Sequence, residues 1–292
     1  MQLIDTVARF AKTLESARAT GNSVGLVPTM GALHRGHLSL IERAARECDV
    51  VAVTIFVNPL QFGDPDDLAA YPRTLAADVA AAEAAGADVV FTPSDRQMFP
   101  DIAAAGGPQN MSGEPVGVHA GSLGRVLEGA SRPGHFDGVA TVIAKLFAMA
   151  GRCRAYFGEK DFQQLQVIRS LASRLSFPVD VVACATVREP DGLALSSRNA
   201  RLSPDERAAA TVLYRSLAAG AAAIAAGARR PAEVTSAMRA ELGAEPLVTT
   251  DYAVAVGAEH LTPLPELAGA VRLLVAARCG PVRLIDNMEV II

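Results

Sequence analysis

Two of the five histidines, His34 and His37, stand three positions apart in the run LVPTMGALHRGHL at residues 26–38. An apolar run, Val24 to Val27, precedes them and reads as the end of a buried strand. Leu38, Ile41, Ala44 and Ala45 follow at helical spacing. A strand that feeds a helix through a glycine-containing turn aims the unpaired N–H groups of the helix at whatever lies there. Those donors and the helix dipole favour an anion, phosphate above all. Imidazole beside a helix start handles developing negative charge without a fixed cation. A zinc pair is the weaker reading, because zinc takes three or four ligands and no Cys or further His lies nearby in sequence. A pair of incidental surface histidines is weaker too, since two of so few fall on one glycine turn.

Other residues invite the same chemistry. Gly158-Glu159-Lys160-Asp161 follows a predicted strand and opens a helix. Lys160 there is a phosphate-reaching cation; Asp161 either caps the helix or meets a ribose hydroxyl or a metal-bound phosphate. Leu195-Ser196-Ser197-Arg198-Asn199 sets two hydroxyls and a guanidinium on one loop, which suits a lid over a polyphosphate, although alone it reads better as an ordinary polar linker. Gln61 and Gln164 offer neutral amides for a carboxylate or hydroxyl. Arg132 and His135, in Arg-Pro-Gly-His-Phe, offer further contacts to an anionic substrate, or a loop packed on the sheet. No G-x-x-x-x-G-K-[ST] occurs and no G-x-G-x-x-G follows the first of these strands, which disfavours P-loop hydrolysis and dinucleotide redox chemistry.

The elements that must position these residues alternate. Helices are predicted over about Asp5–Arg18, Leu38–Glu47, Arg73–Ala85, Gly138–Ala150 and Asp161–Leu175. Strands are predicted over Val24–Val27, Asp49–Val57, Ala87–Phe91, Ala155–Phe157 and Val179–Ala183. Leu60–Tyr71 reads as a loop and Pro93–Gly124, with Gly106, Gly107, Gly113 and Gly117, as a long irregular stretch. This alternation implies an α/β fold, a Rossmann-like parallel sheet with helices on both faces. Such sheets bind ligands beyond the carboxyl ends of their strands, and the unusual residues cluster there: Pro28 to His37, Asn58 to Gly63, and Gly158 to Asp161.

Past Arg188 the texture changes. A long alanine-rich helix is predicted over Pro204–Ala226, opened by a capping box of Ser203 and Glu206, and another over Pro231–Leu242. Tyr252–Val256, Val271–Ala277 and Val282–Ile285 read as three antiparallel strands. The chain therefore divides into a Rossmann-like domain at 1–187 and a smaller α+β C-terminal domain at 188–292 with a short antiparallel sheet.

A net charge of −4 argues against a general nucleic-acid surface. The scattered cysteines Cys48, Cys153, Cys184 and Cys279 suggest neither a disulfide framework nor a zinc knuckle. Half of the residues are hydrophobic, but the longest weakly polar run, Leu217–Ala226, is too short to span a bilayer, and MQLIDTVARF lacks the pattern of a signal peptide. A cytoplasmic protein without membrane or nucleic-acid partners is expected.

PTMGALHRGH, NPLQFG, LEGASRPGHFDGV, FGEKDFQQL, DGLALSSRN and RLIDN, in order over nearly the whole chain, closely resemble the pantothenate synthetase (pantoate–β-alanine ligase) family. H-x-G-H alone marks only the wider nucleotidylyltransferase group. The resemblance implies ATP-dependent condensation of (R)-pantoate with β-alanine through a pantoyl adenylate, with release of pyrophosphate and AMP. It implies ATP bound by Met30, Gly31, Ala32, Leu33, His34, Arg35, Gly36 and His37, by Gly158, Glu159, Lys160 and Asp161, by Val187, and by Leu195, Ser196, Ser197 and Arg198. His37 is cast as the acid, and His34, Lys160, Ser196 and Arg198 as the other catalytic groups. Gln61 takes pantoate and then β-alanine and Gln164 takes pantoate, with Asn58, Arg132 and His135 on the same substrate side. Mg2+ is implied on the ATP phosphates, near Asp161, with no ligands assignable, and the family is typically a cytoplasmic homodimer. Stretches 101–113 and 227–249 carry no usable signature.

Two other functions fit fewer residues. A nucleotidyltransferase that stops at an adenylated or cytidylylated product needs no amine. A non-catalytic nucleotide sensor needs neither both histidines nor Lys160.

Overall fold

The structure, a computed structural model, describes residues 1–110 and 116–292. Gly113 of the long irregular stretch lies outside the described residues. The chain forms two compact units, Met1–Glu159 with Gln164–Cys184, and Lys160–Gln163 with Ala185–Ile292.

In the first unit, strands β1 (Gln2–Ile4), β2 (Val24–Thr29), β3 (Val50–Ile55), β4 (Val89–Phe91), β5 (Cys153–Gly158) and β6 (Val179–Cys184) pair in the order β1-β4-β3-β2-β5-β6. All these pairings are parallel. β2 and β3 run in register from Val24↔Val50 to Thr29↔Ile55. Both faces are covered. Val27 packs with Leu40, Ile41 and Ala44 of the helix Arg35–Glu47, while Leu26, which alternation turns to the other face, is fully buried as well. Phe10 of the helix Val7–Ala19 stacks on Phe91 of β4 with ring centroids 4.3 Å apart. The sheet order reverses between β2 and β5: from β2 the chain moves outward to β3, and from β5 it moves outward the other way to β6. In parallel sheets a reversal of this kind, at the carboxyl ends of β2 and β5, is the usual place for a ligand.

Several predicted elements change in detail. The short edge strand β1 is unmarked by any long apolar run. The predicted loop Leu60–Tyr71 contains a helix, Pro65–Ala70, started by the Asp64 side chain accepting from the Asp66 N–H at 2.9 Å. The irregular stretch contains the short helices Asp95–Met98 and Pro100–Ala104.

In the second unit, β7 (Val248–Gly257), β8 (Ala270–Cys279) and β9 (Val282–Ile291) form an antiparallel sheet. Leu273 and Val275 of β8 join Leu213, Leu217, Val234 and Met238 from its helices in one core. The long helix is interrupted: Pro204–Ala209 and Val212–Ala225 are separate pieces. The predicted capping box is formed, with Glu206 N–H donating to Ser203 Oγ at 3.3 Å and Ser203 N–H to Glu206 Oε2 at 2.8 Å. By length and composition the stretch Pro204–Ala225 could cross a membrane; here Val212, Leu213, Leu217 and Ile224 are spent on the core. Gly220 lets the helix Pro231–Gly243 come close, since a Cβ there would stand 2.8 Å from Met238 Cγ.

Candidate active site

The histidine turn leaves β2 at its carboxyl end. The helix begins at Arg35, earlier than its apolar spacing predicts, because the two imidazoles cap it. His34 Nδ1 accepts from Gly36 N–H at 3.1 Å, and His37 Nδ1 accepts from His34 N–H at 3.4 Å. The rings lie 4.1 Å apart between centroids. A ring nitrogen that accepts an N–H carries no proton, so each neutral imidazole holds its proton on Nε2, as a donor.

The turn is anchored from below by Asp78, which is only 3% exposed. Its carboxylate accepts from Ala32 N–H at 2.9 Å, from Leu33 N–H at 2.7 Å and from the Thr74 hydroxyl at 3.1 Å. Ala32 is held at φ +50°, in a region that a residue with a Cβ seldom enters. Gly31 has φ +85°, and a Cβ on it would stand 3.0 Å from Asp78 Oδ2. Glycine is required there by conformation and by space. Arg35 lies on the exposed side of the helix, paired with Glu42 at 2.6 Å.

Gln61 follows β3 in the short helical turn Pro59–Gln61. Its amide is fixed end for end. Oε1 accepts from Asn58 Nδ2 at 3.0 Å, and Nε2 lies 2.9 Å from Met30 Sδ. Asn58 is buried and also donates to Gly138 O at 3.1 Å. Arg132 and His135 hold the Gln61 backbone carbonyl. Arginine can only donate, so Arg132 Nη1, 3.2 Å from His135 Nε2, leaves the His135 proton on Nδ1, which donates to Gln61 O at 2.8 Å. Arg132 Nη2 donates to the same oxygen at 3.3 Å. Asn58, Arg132 and His135 thus gather round Gln61 and orient it. Gly138 permits the approach of its helix, His135–Ala150, because a Cβ there would fall 2.3 Å from Leu60 O. Gln164 is half-buried in the helix Phe162–Arg174.

Gly158 ends β5 and Glu159 to Asp161 form one turn of 3-10 helix. In the second unit Lys160 is largely buried, 3.4 Å from Asp161 Oδ1. Val187 O accepts from Leu195 N–H at 3.0 Å, closing a hairpin that delivers Ser196 to Arg198. The tip of that hairpin presses on Tyr214, so that a Cβ on Gly192 (φ +91°) would stand 2.2 Å from its ring. Ser196 caps the following turn, its Oγ accepting from Arg198 N–H at 3.3 Å. Ser197 begins that turn. Lys160, Ser196, Arg198, Asn199, Arg283 and Asp286 line one cavity of this unit. Lys160, Arg198 and Arg283 bring positive charge to its wall, against the carboxylate of Asp286 and with Arg283 already paired to Asp251 at 2.6 Å.

Sequence reasoning missed Asp78, and it gave Asp286 and Asn287 of the RLIDN stretch no role of their own. A single acid among Ala76, Ala77, Val79 and Ala80 was the available signal for Asp78. Among the described residues no cluster of three or more His, Cys, Asp or Glu could hold a metal. Burial pushes the Cys153 thiol up to about 12 and the Cys279 thiol up to about 11, which keeps these two protonated.

A family model described as pantoate-beta-alanine ligase matches residues 2–289. A pantothenate synthetase of Rubrobacter xylanophilus is 53% identical over 272 residues, covering 92% of each chain. One from Cereibacter sphaeroides is 48% identical over 99% of each. The crystal structure of pantothenate synthetase from Thermus thermophilus superposes with a TM-score of 0.89 at 46% identity, covering 99% of both chains. That of the Francisella tularensis pantoate-beta-alanine ligase, complexed with beta-gamma ATP and beta-alanine, superposes at 0.78 and 33% identity, covering 99% of this chain and 97% of its own.

Proposed function

The chain belongs to the pantoate–β-alanine ligase family, and on that premise we propose that it works by way of a pantoyl adenylate. A pantoate carboxylate oxygen attacks the α-phosphorus of ATP and the bond to the bridging oxygen of pyrophosphate breaks. The amine of β-alanine then attacks the acyl carbon, the C–O bond to AMP breaks, and the amine gives up a proton. Activation is needed because a carboxylate has no leaving group better than oxide.

The reading is carried by one observation: the reciprocal imidazole cap at the end of β2, beside the sheet's reversal point. It supports a site that meets charge with donors already in place, the Nε2–H groups of His34 and His37. In this proposal Met30 to His37, Gly158 to Asp161, Val187 and Leu195 to Arg198 bind ATP. His37 is the acid, and Lys160, Ser196 and Arg198 meet the charge on departing pyrophosphate. Gln61 and Gln164 hold pantoate, and Gln61 afterwards β-alanine; Asn58, Arg132 and His135 keep Gln61 in place.

Mg2+ fits as a passenger on the ATP phosphates. It commonly takes one or two carboxylates and fills its shell with phosphate oxygens and water, and the half-exposed Asp161 beside Lys160 is the carboxylate on hand. When bound it neutralises charge on the phosphates. The proposal also includes a cytoplasmic homodimer, for which light scattering would read twice the 30.4 kDa chain mass.

Pantoate labelled with heavy oxygen in its carboxylate tests the chemistry. An acyl adenylate transfers one labelled oxygen to AMP. Label-free AMP overturns it.

A further inference from the structure

Strand β9 carries two adjacent buried polar residues, Asp286 and Asn287, that no step above uses. Asp286 takes Arg188 in a two-point ion pair, with Oδ2 to Nη1 at 2.6 Å and Oδ1 to Nη2 at 2.9 Å. The same guanidinium donates to Gly192 O at 3.0 Å and lies 4.8 Å over the Tyr214 ring. Arg188 and Gly192 belong to the hairpin closed by Val187 and Leu195, so Asp286 fixes the strand ends from which Ser196, Ser197 and Arg198 emerge.

Asn287 reaches the other cation of the cavity. Its Nδ2 donates to the backbone carbonyl of Lys160 at 2.9 Å, and its Oδ1 accepts from Arg272 Nη1 at 3.1 Å. Arg272 is only 4% exposed and stands 3.6 Å over the ring of Phe162, two residues beyond Lys160. Lys160 is thus held through its own carbonyl and through its neighbour. The two clamps are themselves joined, because Asn287 N–H donates to Asp286 Oδ1 at 2.7 Å.

Buried ion pairs seldom stabilise a fold more than apolar residues of the same volume would, so their use lies in position. Lysine and arginine side chains each turn about four flexible bonds. Charge stabilisation in a transition state rewards cations that are already in place. We propose that Asp286 and Asn287 are positioning residues that set the phosphate-side cations as one frame, Asn287 through Lys160 and Asp286 through the Ser196–Arg198 loop. The inference rests on the adenylation reading above.

Pantoate-dependent exchange of pyrophosphate into ATP is measured in two double-mutant cycles, Asn287→Ala with Lys160→Ala, and Asp286→Asn with Arg198→Ala. Asn287→Ala lowers exchange about tenfold in the otherwise native enzyme, the size of one lost buried hydrogen bond. In the Lys160→Ala background it lowers exchange less than about twofold, because the group it positions is gone. Asp286→Asn behaves the same way against Arg198→Ala. Equal losses in both backgrounds overturn the proposal. Should melting show Asn287→Ala unfolded, Asn287→Asp takes its place; it keeps an acceptor for Arg272 and turns the donor to Lys160 O into a carboxylate oxygen that repels it, and the same two outcomes decide. Native enzyme without pantoate-dependent exchange counts against the adenylation reading itself, whereas native exchange with additive losses counts against the positioning role alone.

Discussion

His34 and His37 cap one helix between them: each imidazole Nδ1 takes a backbone N–H of the turn, at 3.1 Å for His34 and 3.4 Å for His37. The bonds that hold the rings also decide which nitrogen bears the proton. One pair of residues therefore starts the helix, satisfies its leading N–H groups and supplies two Nε2–H donors.

Cap and donor can be separated at His37. Gln in that position completes a capping box as well as an imidazole does but lacks the acid. His37→Gln should keep a melting temperature close to native and lose roughly 10²–10³-fold in turnover, the usual loss when one preorganised donor is removed. His37→Ala should lose both. Near-normal turnover in His37→Gln removes His37 from the chemistry.

Asp78 receives two consecutive N–H groups of the turn. In Asp78→Asn one of those N–H groups must face an amide NH2. Turnover should fall about tenfold, as for one buried donor left unpaired, while the affinity for β-alanine stays near native. Gly31→Ala, which forces a Cβ against Asp78, should be worse. Steady-state kinetics on both variants check this; native turnover in Asp78→Asn contradicts it.

Gln61 is oriented by Asn58, Arg132 and His135. Gln61→Ala should weaken pantoate binding and leave ATP binding nearly intact. His135→Phe, which keeps the ring and drops the donor to Gln61 O, should do the same to a smaller degree. Thermal-shift titration with each ligand separately reads both; a parallel loss of ATP binding would place Gln61 elsewhere.

A pH effect is expected far from the chemistry. Hydrogen bonding from Arg43 holds the Glu47 carboxyl below its ordinary range. Arg154 stands 2.8 Å from the same group. A lowered folded-state value means that the contribution is complete above the unfolded value of about 4.3 and is lost as pH falls through the folded one. Glu47→Gln should therefore melt lower than native at about pH 7, with the gap closing on acidification below about pH 4. Melting curves across that range test it, and a gap that widens in acid is the wrong sign.

The apolar runs of β2, β3 and β6 and the Ser203–Glu206 capping box were legible because each is a local pattern. The start of the histidine helix was not, because imidazole is an unusual cap and apolar spacing begins only at Leu38. The helix Pro65–Ala70 buries none of its side chains, so it has no periodic stripe to read, although Asp64-Pro65 is a fair start signal. The groups proposed for the chemistry stand out in the sequence by type and by glycine spacing. Their supports did not: Asp78 lies 46 positions from Ala32, and Asn287 lies 127 from Lys160. Only folding makes such pairs neighbours.

In the proposed sequence ATP and pantoate react before the amine arrives. Exchange of labelled pyrophosphate into ATP, followed with and without pantoate and then with β-alanine added, tests it most directly. Exchange should require pantoate and no amine, with net AMP release only once β-alanine is present. Exchange that is independent of pantoate, or that appears only with the amine, would contradict it.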